Sequence, residues 1–196
     1  MILAAFFILG IGLCAAENQH KLEETNPSTT YKNTLTAVQK TENLHLLWYS
    51  LDLSRWLEEC LISKFLNKTD HGAKRTLETN AMVTEILPGS PLQQSKANVT
   101  VHVHERNPYP YITLHVDGGE IESLWTEQRD LLFATPNCFV LQALIKEKRK
   151  LSCVVWGLGN SGKKCLEYAK RNCESGEKVD LKKCEDHPKK GNKRQA

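Results

Sequence analysis

Short apolar or alternating runs, separated by turn residues, dominate the chain between residues 44 and 158. The eight runs are LHLLWYS from Leu44, ECLISKFL from Glu59, RTLETNAMVTEIL from Arg75, NVTVHVHE from Asn98, YPYITLHV from Tyr109, EIESLW from Glu120, LLFATPNCFVLQALI from Leu131 and LSCVVWGL from Leu151. Hairpin-length connections join these eight runs, which predicts an antiparallel up-and-down β-barrel. We expect the seventh run to be one strand bent at Pro136, because proline removes a donor from the ladder.

Helical spacing occurs only on either side of these runs. Tyr31, Leu35 and Val38 follow Ser28, a candidate cap, at helical intervals, which predicts a short helix before the barrel. SGKKCLEYAKRNC, from Ser161 to Cys173, predicts a second helix after the last strand. The predicted fold class is therefore all-β, an eight-stranded barrel with a short N-terminal helix and a C-terminal helix packed outside.

The N-terminal segment has the pattern of a signal peptide. An unbroken apolar run from Ile2 to Leu13 precedes the small residues Ala15 and Ala16, as in an h-region followed by a cleavage point. The run is too short to span a bilayer. The expected divisions are a signal peptide over 1–16, a flexible segment over 17–27, the barrel domain over 28–184 and a basic, disordered tail over 185–196.

Cysteines and sequons also indicate a secreted protein. Removal of Cys14 with the signal peptide leaves six cysteines, an even number that predicts three disulfide bonds. No two cysteines have the C-x-x-C spacing of a zinc site. Sequons at Asn67 and Asn98 predict glycosylation at exposed positions. The net charge of +3 is too small to indicate a nucleic-acid partner.

Cys138 and Cys153 lie on consecutive strands, but their spacing argues against a bond between them. If the turn centres near residues 147–148, Cys138 opposes Gly157 and Cys153 opposes Gln142. The two cysteines are then about 13 Å apart along the hairpin. A disulfide requires Cα atoms within about 7 Å of each other. Each of the two must therefore bond elsewhere.

The C-terminal helix offers partners at the required separation. Cys165 and Cys173 lie near one face of that helix, about 12 Å apart along its axis. A helix that runs back antiparallel to the last strand brings Cys165 to the level of Cys138 and Cys173 to the level of Cys153. The predicted pairs are Cys138 with Cys165, Cys153 with Cys173 and, by remainder, Cys60 with Cys184.

Strand alternation then predicts the side chains that line the barrel interior. Cysteines that reach an external helix point outward, so their neighbours along each strand point inward. Alternation also places one of Trp48 and Tyr49 inward, and we predict Trp48. The predicted lumen residues are Trp48, Phe139, Leu141, Ala143, Ile145, Ser152, Val154 and Trp156.

The order of these features resembles the tick salivary lipocalins of the histamine-binding type. The shared features, over roughly residues 28–184, are the signal peptide, the first helix, Cys60, the segments TPNCFV from Thr135 and CVVW from Cys153, the Cys165–Cys173 helix and Cys184. The resemblance implies a monomeric, secreted lipocalin that sequesters a small host mediator, such as histamine, serotonin or a leukotriene, and so dampens inflammation. It implies no enzymatic activity, cofactor, metal or membrane partner.

Two positions depart from the amine-binding pattern. Phe139 and Val154 stand where amine-binding members of that family carry Asp and Glu. A buried ammonium needs a carboxylate partner, so an apolar ligand such as a leukotriene or a fatty acid is favoured. Acids elsewhere remain open as substitutes, namely Glu78, Glu85, Glu120 and Glu122.

Two further alternatives concern other classes of function. In the first alternative, the barrel is a scaffold whose loop over 88–96 or tail inhibits a host defence protein. A metal site is the second, because His102 and His104 share a strand face and His115 lies on the next run. Their alternation with valines is also the pattern of an ordinary half-exposed strand, and we favour that interpretation.

Overall fold

The computed structural model describes residues 25–57, 60–79, 96–119, 123–144 and 151–185. The expected signal peptide, residues 17–24 and the tail from residue 186 lie outside these ranges. The elements are α1 (Pro27–Val38), β1 (Leu44–Ser50), a 3-10 helix (Leu51–Trp56), β2 (Leu61–Ser63), β3 (Phe65–Thr69), β4 (Gly72–Thr79), β5 (Lys96–His104), β6 (Tyr111–Gly119), α2 (Ser123–Thr126), β7 (Arg129–Thr135), β8 (Cys138–Leu144), β9 (Ser152–Gly157), a 3-10 helix (Gly159–Gly162), α3 (Lys163–Asn172), β10 (Gly176–Lys178) and α4 (Leu181–Glu185).

The strands form a closed antiparallel barrel, as predicted. Neighbouring strands pair in the order β1, β2, β4, β5, β6, β7, β8 and β9, and β1 closes the ring by pairing with β9. Strands β2 and β3 both pair with β4 and are separated by Lys64, so together they occupy one of the eight barrel positions. β1 pairs with β2 only at Leu44 and His45, and its far end pairs with the short β10.

Two strand predictions were wrong, but together they left the number of barrel strands at eight. EIESLW does not form a strand over its described part, because residues 123–126 form the helix α2. The run from Leu131 is two strands rather than one bent strand. Pro136 and Asn137 form the turn of the β7–β8 hairpin, in which Thr135 opposes Cys138. Proline has a fixed φ and no N–H, so it fits a turn better than a strand interior.

Helix α1 closes one end of the barrel. It is capped by Asn26, whose side chain accepts from the Thr29 N–H, rather than by Ser28. Side-chain hydrogen bonds join the helix to the strand ends and turns beneath it: Asn33 to the Ala134 carbonyl, Gln39 to the carbonyls of Thr69 and Gly72, and Lys40 to the Asn137 side chain.

Helix α3 packs against the outside of β7, β8 and β9. Cys138 opposes Gly157 and Cys153 opposes Gln142, which is the predicted register. The disulfides join the predicted pairs, with Cα–Cα distances of 6.2 Å for Cys138–Cys165, 5.9 Å for Cys153–Cys173 and 5.4 Å for Cys60–Cys184.

The buried apolar side chains divide into two groups on opposite sides of the barrel wall. The inner cluster fills the barrel and contains Phe139, Leu141, Ala143, Val154 and Trp156 from β8 and β9. The outer cluster lies between the wall and α3. It contains Leu47, Trp48, Leu132, Cys138, Val140, Cys153, Val155, Cys165, Tyr168, Ala169 and Cys173. Alternate residues of the same two strands therefore enter different clusters.

Candidate ligand-binding site

The barrel encloses an apolar cavity of about 50 Å³. It has room for a few water molecules, whereas sites for drug-sized ligands typically measure about 300–1,000 Å³. A mediator-sized ligand therefore fits only if side chains in the lumen move. The cavity is lined by Val38, Leu44, Ser63, Arg75, Leu77, Val99, Val101, Ile112, Leu114, Trp125, Phe139, Leu141 and Trp156.

Five of the predicted residues on β8 and β9 belong to the inner cluster, whereas Ser152 joins neither the cluster nor the cavity lining and donates to Asp52 instead. Phe139, Leu141 and Trp156 line the cavity. Val154 is 3% exposed within the inner cluster but is not among the lining side chains. Ile145 lies outside the described residues.

The prediction for Trp48 was wrong, because the strand pairing is irregular at this point. The β1–β9 register shifts between Leu46 and Trp48. Leu47 and Trp48 consequently both join the outer cluster, and Tyr49 returns to the inner one. The Trp48 ring packs beneath β10, since a Cβ at Gly176 would lie 2.0 Å from its Cζ2 atom. Trp48 therefore supports the outside of the wall.

Trp125 is a lining residue that the sequence reasoning missed. It lies on α2 and meets Trp156 edge to face, with 6.1 Å between ring centroids. This arrangement is favourable for aromatic pairs. The two rings together fill the lumen next to α2. The tryptophan in EIESLW was the sequence feature that could have identified this lining residue, but that run was predicted to be a strand.

Arg75 is a second missed lining residue, and it is fully buried. Its Nε donates to Ser63 Oγ, one terminal nitrogen donates to the carbonyls of Val38 and Lys40, and the other donates to the carbonyls of Glu42 and Ser63, all at 2.8–3.0 Å. These bonds use every N–H of a guanidinium. Arg75 thus ties β4 to β2 and to the C-terminal end of α1, where carbonyls favour a cation.

The charge on Arg75 makes the closed end of the lumen positive. Burial lowers its pKa to about 10, and the nearby Glu42 opposes that shift. A pKa near 10 still keeps the side chain charged at physiological pH. The Phe65 ring, 5.7 Å from the guanidinium carbon, adds a cation–π contact.

Glu78 does not replace the missing lumen acids. Arg75 and Leu77 line the cavity, so Glu78, the next residue of β4, faces the other side of the wall. It is 3% exposed and accepts from Lys64 Nζ at 2.9 Å and from Thr76 Oγ1 at 2.7 Å. Burial acts to raise its pKa, but these bonds and the lysine charges outweigh burial, so its pKa is lowered. Glu85, Glu120 and Glu122 lie outside the described residues.

A larger cavity, of about 340 Å³, adjoins the inner cluster at the end of β1 that pairs with β10. Leu46, Tyr49, Leu57 and Val179 give it an apolar floor. Exposed charged side chains, including Glu177 and Asp180, form its rim. The charged rim makes this cavity less apolar than the cavity inside the barrel, and an apolar ligand fits it less well.

The histidine pattern belongs to the outer face of β5. His104 Nε2 lies 2.9 Å from Thr113 Oγ1, and its ring stacks on Tyr111 with 4.5 Å between centroids. Val99 and Val101, on the opposite face, line the cavity. In the part of the chain that the structure describes, no group of three or more potential ligands is arranged to hold a metal ion.

The closed eight-stranded barrel, with one short N-terminal helix and one helix on its outside, defines a lipocalin fold. Japanin from Rhipicephalus appendiculatus, in a crystal structure bound to cholesterol, is a similar solved structure. The likeness has a TM-score of 0.51 at 14% sequence identity and covers 74% of this chain and 97% of Japanin. No protein-family model and no curated protein sequence matches the chain. Within the described ranges, no helix is long and apolar enough to cross a membrane.

Proposed function

We propose that this protein is a secreted tick salivary lipocalin that binds a small apolar host mediator, such as a leukotriene or a fatty acid, and so dampens inflammation. The observation that carries the proposal is the character of the described lumen lining, which is apolar apart from Ser63 and Arg75 and contains no carboxylate. The cholesterol bound by Japanin, a protein of the same fold, is also an apolar molecule. The disulfide bonds support a secreted location.

Biogenic amines fit this lumen poorly. An ammonium group loses its hydration on burial and needs a carboxylate in return. Phe139 and Val154 supply none, and the nearest buried charge of the described lining is the cation Arg75. Like charges in a low-dielectric cavity repel each other. The lumen therefore discriminates against histamine and serotonin.

Binding requires more space than the cavity provides. Trp125 lies on the four-residue helix α2 and is only partly buried, whereas Trp156 is fixed within β9. We propose that a ligand displaces the Trp125 ring from Trp156 and takes its place in the lumen. The change around both indoles then makes tryptophan fluorescence a direct readout of binding.

The test is a titration of the disulfide-bonded protein with histamine, serotonin, a leukotriene, a long-chain fatty acid and cholesterol, followed by tryptophan fluorescence and native mass spectrometry. Val101→Phe fills the cavity and should abolish apolar binding. His102→Phe is the matched control, because it places the same phenyl ring on the outer face of the same strand. Tight histamine binding by the wild type would contradict the proposal.

A second pair of substitutions tests the missing acids. Phe139→Asp combined with Val154→Glu places two carboxylates on the inner side of β8 and β9. We expect this variant to gain affinity for histamine and to lose affinity for the apolar ligand. An unchanged preference in a folded variant would show that these positions do not select the ligand.

The small volume of the lumen favours one other candidate function, a scaffold that inhibits a host defence protein. The loop and tail proposed for that contact lie outside the described residues, apart from Lys96 and Glu185. If none of the tested ligands binds, this candidate is favoured, provided that Val101→Phe leaves the anti-inflammatory activity intact. Loss of that activity in Val101→Phe, but not in His102→Phe, would favour the ligand-binding function.

A further inference from the structure

Strand β3 has an unpaired edge. β1 begins at Leu44, which opposes Ser63 at the end of β2, so the barrel partner of β2 does not continue alongside β3. Among the described residues, β3 pairs only with β4, on its other side. A free edge presents unpaired N–H and C=O groups, which form a template for strand pairing with a second chain.

The same edge carries an exposed apolar side chain. Leu66 is 51% exposed, and the β3–β4 register shifts between Phe65 and Asn67, so that Leu66 is the extra residue of a bulge. Bulges discourage edge pairing, but an exposed leucine beside a free edge promotes it. The fold alone therefore leaves this edge only partly protected.

Asn67, the residue next to Leu66, is exposed and begins the sequon Asn67-Lys68-Thr69. The second sequon residue, Asn98, is also exposed, but its surroundings differ. Asn98 lies on β5, which is paired on both edges, opposite Thr76 of β4 and Gly118 of β6. Only the first sequon stands on a strand with a free edge among the described residues.

We propose that an N-linked oligosaccharide on Asn67 covers Leu66 and the free edge of β3, and keeps two copies of the protein from pairing through this edge. The inference rests on the secretory route of the proposed function. The modification joins C1 of the sugar to Asn67 Nδ2, breaks the C1–O bond to a lipid diphosphate donor and releases one amide proton. A bulky, hydrated glycan next to the edge blocks the approach of a second strand.

The experiment compares Asn67→Gln with the matched control Asn98→Gln, both secreted from insect cells. Peptide mass spectrometry measures occupancy of each sequon, and sedimentation velocity over a concentration series measures association. We expect an occupied Asn67, a monomeric wild type, a monomeric Asn98→Gln variant and a dimer of Asn67→Gln at micromolar concentration. Adding Leu66→Lys to Asn67→Gln should restore the monomer, because a charge opposes edge pairing.

If Asn67→Gln is not secreted, the glycans of the folded wild type can instead be trimmed to a single sugar. The trimmed protein should also dimerise. An unoccupied Asn67, or a form without the full glycan that stays monomeric throughout the series, would overturn the proposal. The fluorescence titration separates this result from the proposed function, since glycan-free protein should keep its affinity for an apolar ligand.

Discussion

The two faces of the wall formed by β8 and β9 are both apolar, but they have different partners. On the outer face, Val155 is fully buried, and α3 is held against the wall by two disulfides. Tyr168 of this helix stacks on Phe133 of β7 at 4.9 Å between centroids. On the inner face, Phe139 and Trp156 adjoin a cavity. A strand with apolar residues on both faces is expected where each face is covered.

The comparison shows which side of the wall can yield space to a ligand. Covalent bonds and close packing fix the outer face, so α3 cannot swing away without breaking Cys138–Cys165 and Cys153–Cys173. The inner face is held by side-chain contacts alone. Added volume must therefore come from the inside, and Trp125 is a lining side chain that is only partly buried and lies on a four-residue helix.

The largest expected effect tests the rigidity of the inner side at its closed end. Arg75→Met removes five hydrogen bonds, which go to Ser63, to the last residue of α1 and to the chain that follows it. Each acceptor that loses its partner costs roughly 1 kcal/mol, and those that are buried cost the most, so the free energy of unfolding should fall by about 4 to 5 kcal/mol. Urea denaturation measures this loss. Arg75→Lys, which keeps the charge but has fewer donors, should recover part of it.

The next effect tests the outer face. Replacing Cys153 and Cys173 together by alanine removes a cross-link with a sequence separation of 20 residues. Release of such a loop should lower the free energy of unfolding by roughly 3 kcal/mol. Because neither sulfur lines the lumen, affinity for an apolar ligand should stay within a factor of about two under folding conditions. A loss of binding free energy as large as the loss in the free energy of unfolding would contradict the division between the two faces.

The parts of this wall that sequence reasoning predicted depend on local rules. The β8–β9 register follows from the position of one turn, and the disulfide pairs follow from matching the strand spacing to the helix spacing. Alternation then assigns Phe139, Leu141 and Trp156 to the inside. Each step needs only neighbouring segments of the chain, which is why these predictions hold.

The predictions that were wrong depend on information that no local pattern carries. The register shift near Trp48 reverses the alternation of β1, and no glycine or proline in LHLLWYS marks it. Trp125 lies on a short helix because that segment packs over Trp156, a tertiary contact. Arg75 was not expected in the lumen, since a buried arginine is stable only with the carbonyls of α1 and Ser63 as partners. Those partners are distant in sequence.

A smaller effect compares the two faces directly through neighbouring valines. Val154 and Val155 are both buried, but Val154 belongs to the inner cluster and Val155 to the outer one. Val155→Ala leaves a void under a tethered helix and should cost about 2 kcal/mol. Val154→Ala adjoins side chains that can relax toward the lumen and should cost about half as much. Chemical denaturation measures both, and equal costs would contradict this difference.

Only Val154→Ala should change ligand affinity, because it enlarges the inner side of the wall. The fluorescence titration with the apolar ligand provides this second measurement. A change of affinity in Val155→Ala of the same size would show that the two faces are coupled through the strand.

The smallest expected effect extends the comparison to β5, where the outer face is partly exposed to solvent. Burial, followed by the charges of His102 and His71, lowers the pKa of His104 below its usual value of 6.5. The unfolded chain therefore binds more protons than the folded protein once the pH falls below about 6.5. Stability from neutral His104 is present above that pH and is lost as the pH falls through the folded pKa.

Between pH 7.5 and pH 5.5, Tm should thus fall slightly more for the wild type than for His104→Gln, by no more than about 2 °C. His115→Gln is the matched control, because His115 is exposed on the paired strand β6. Calorimetry of the three proteins measures the difference. A shift of the same size in His115→Gln would show that the acid sensitivity does not come from the covered position of His104. It would then reflect the general positive charge of this face, where His102 and His71 also approach His104.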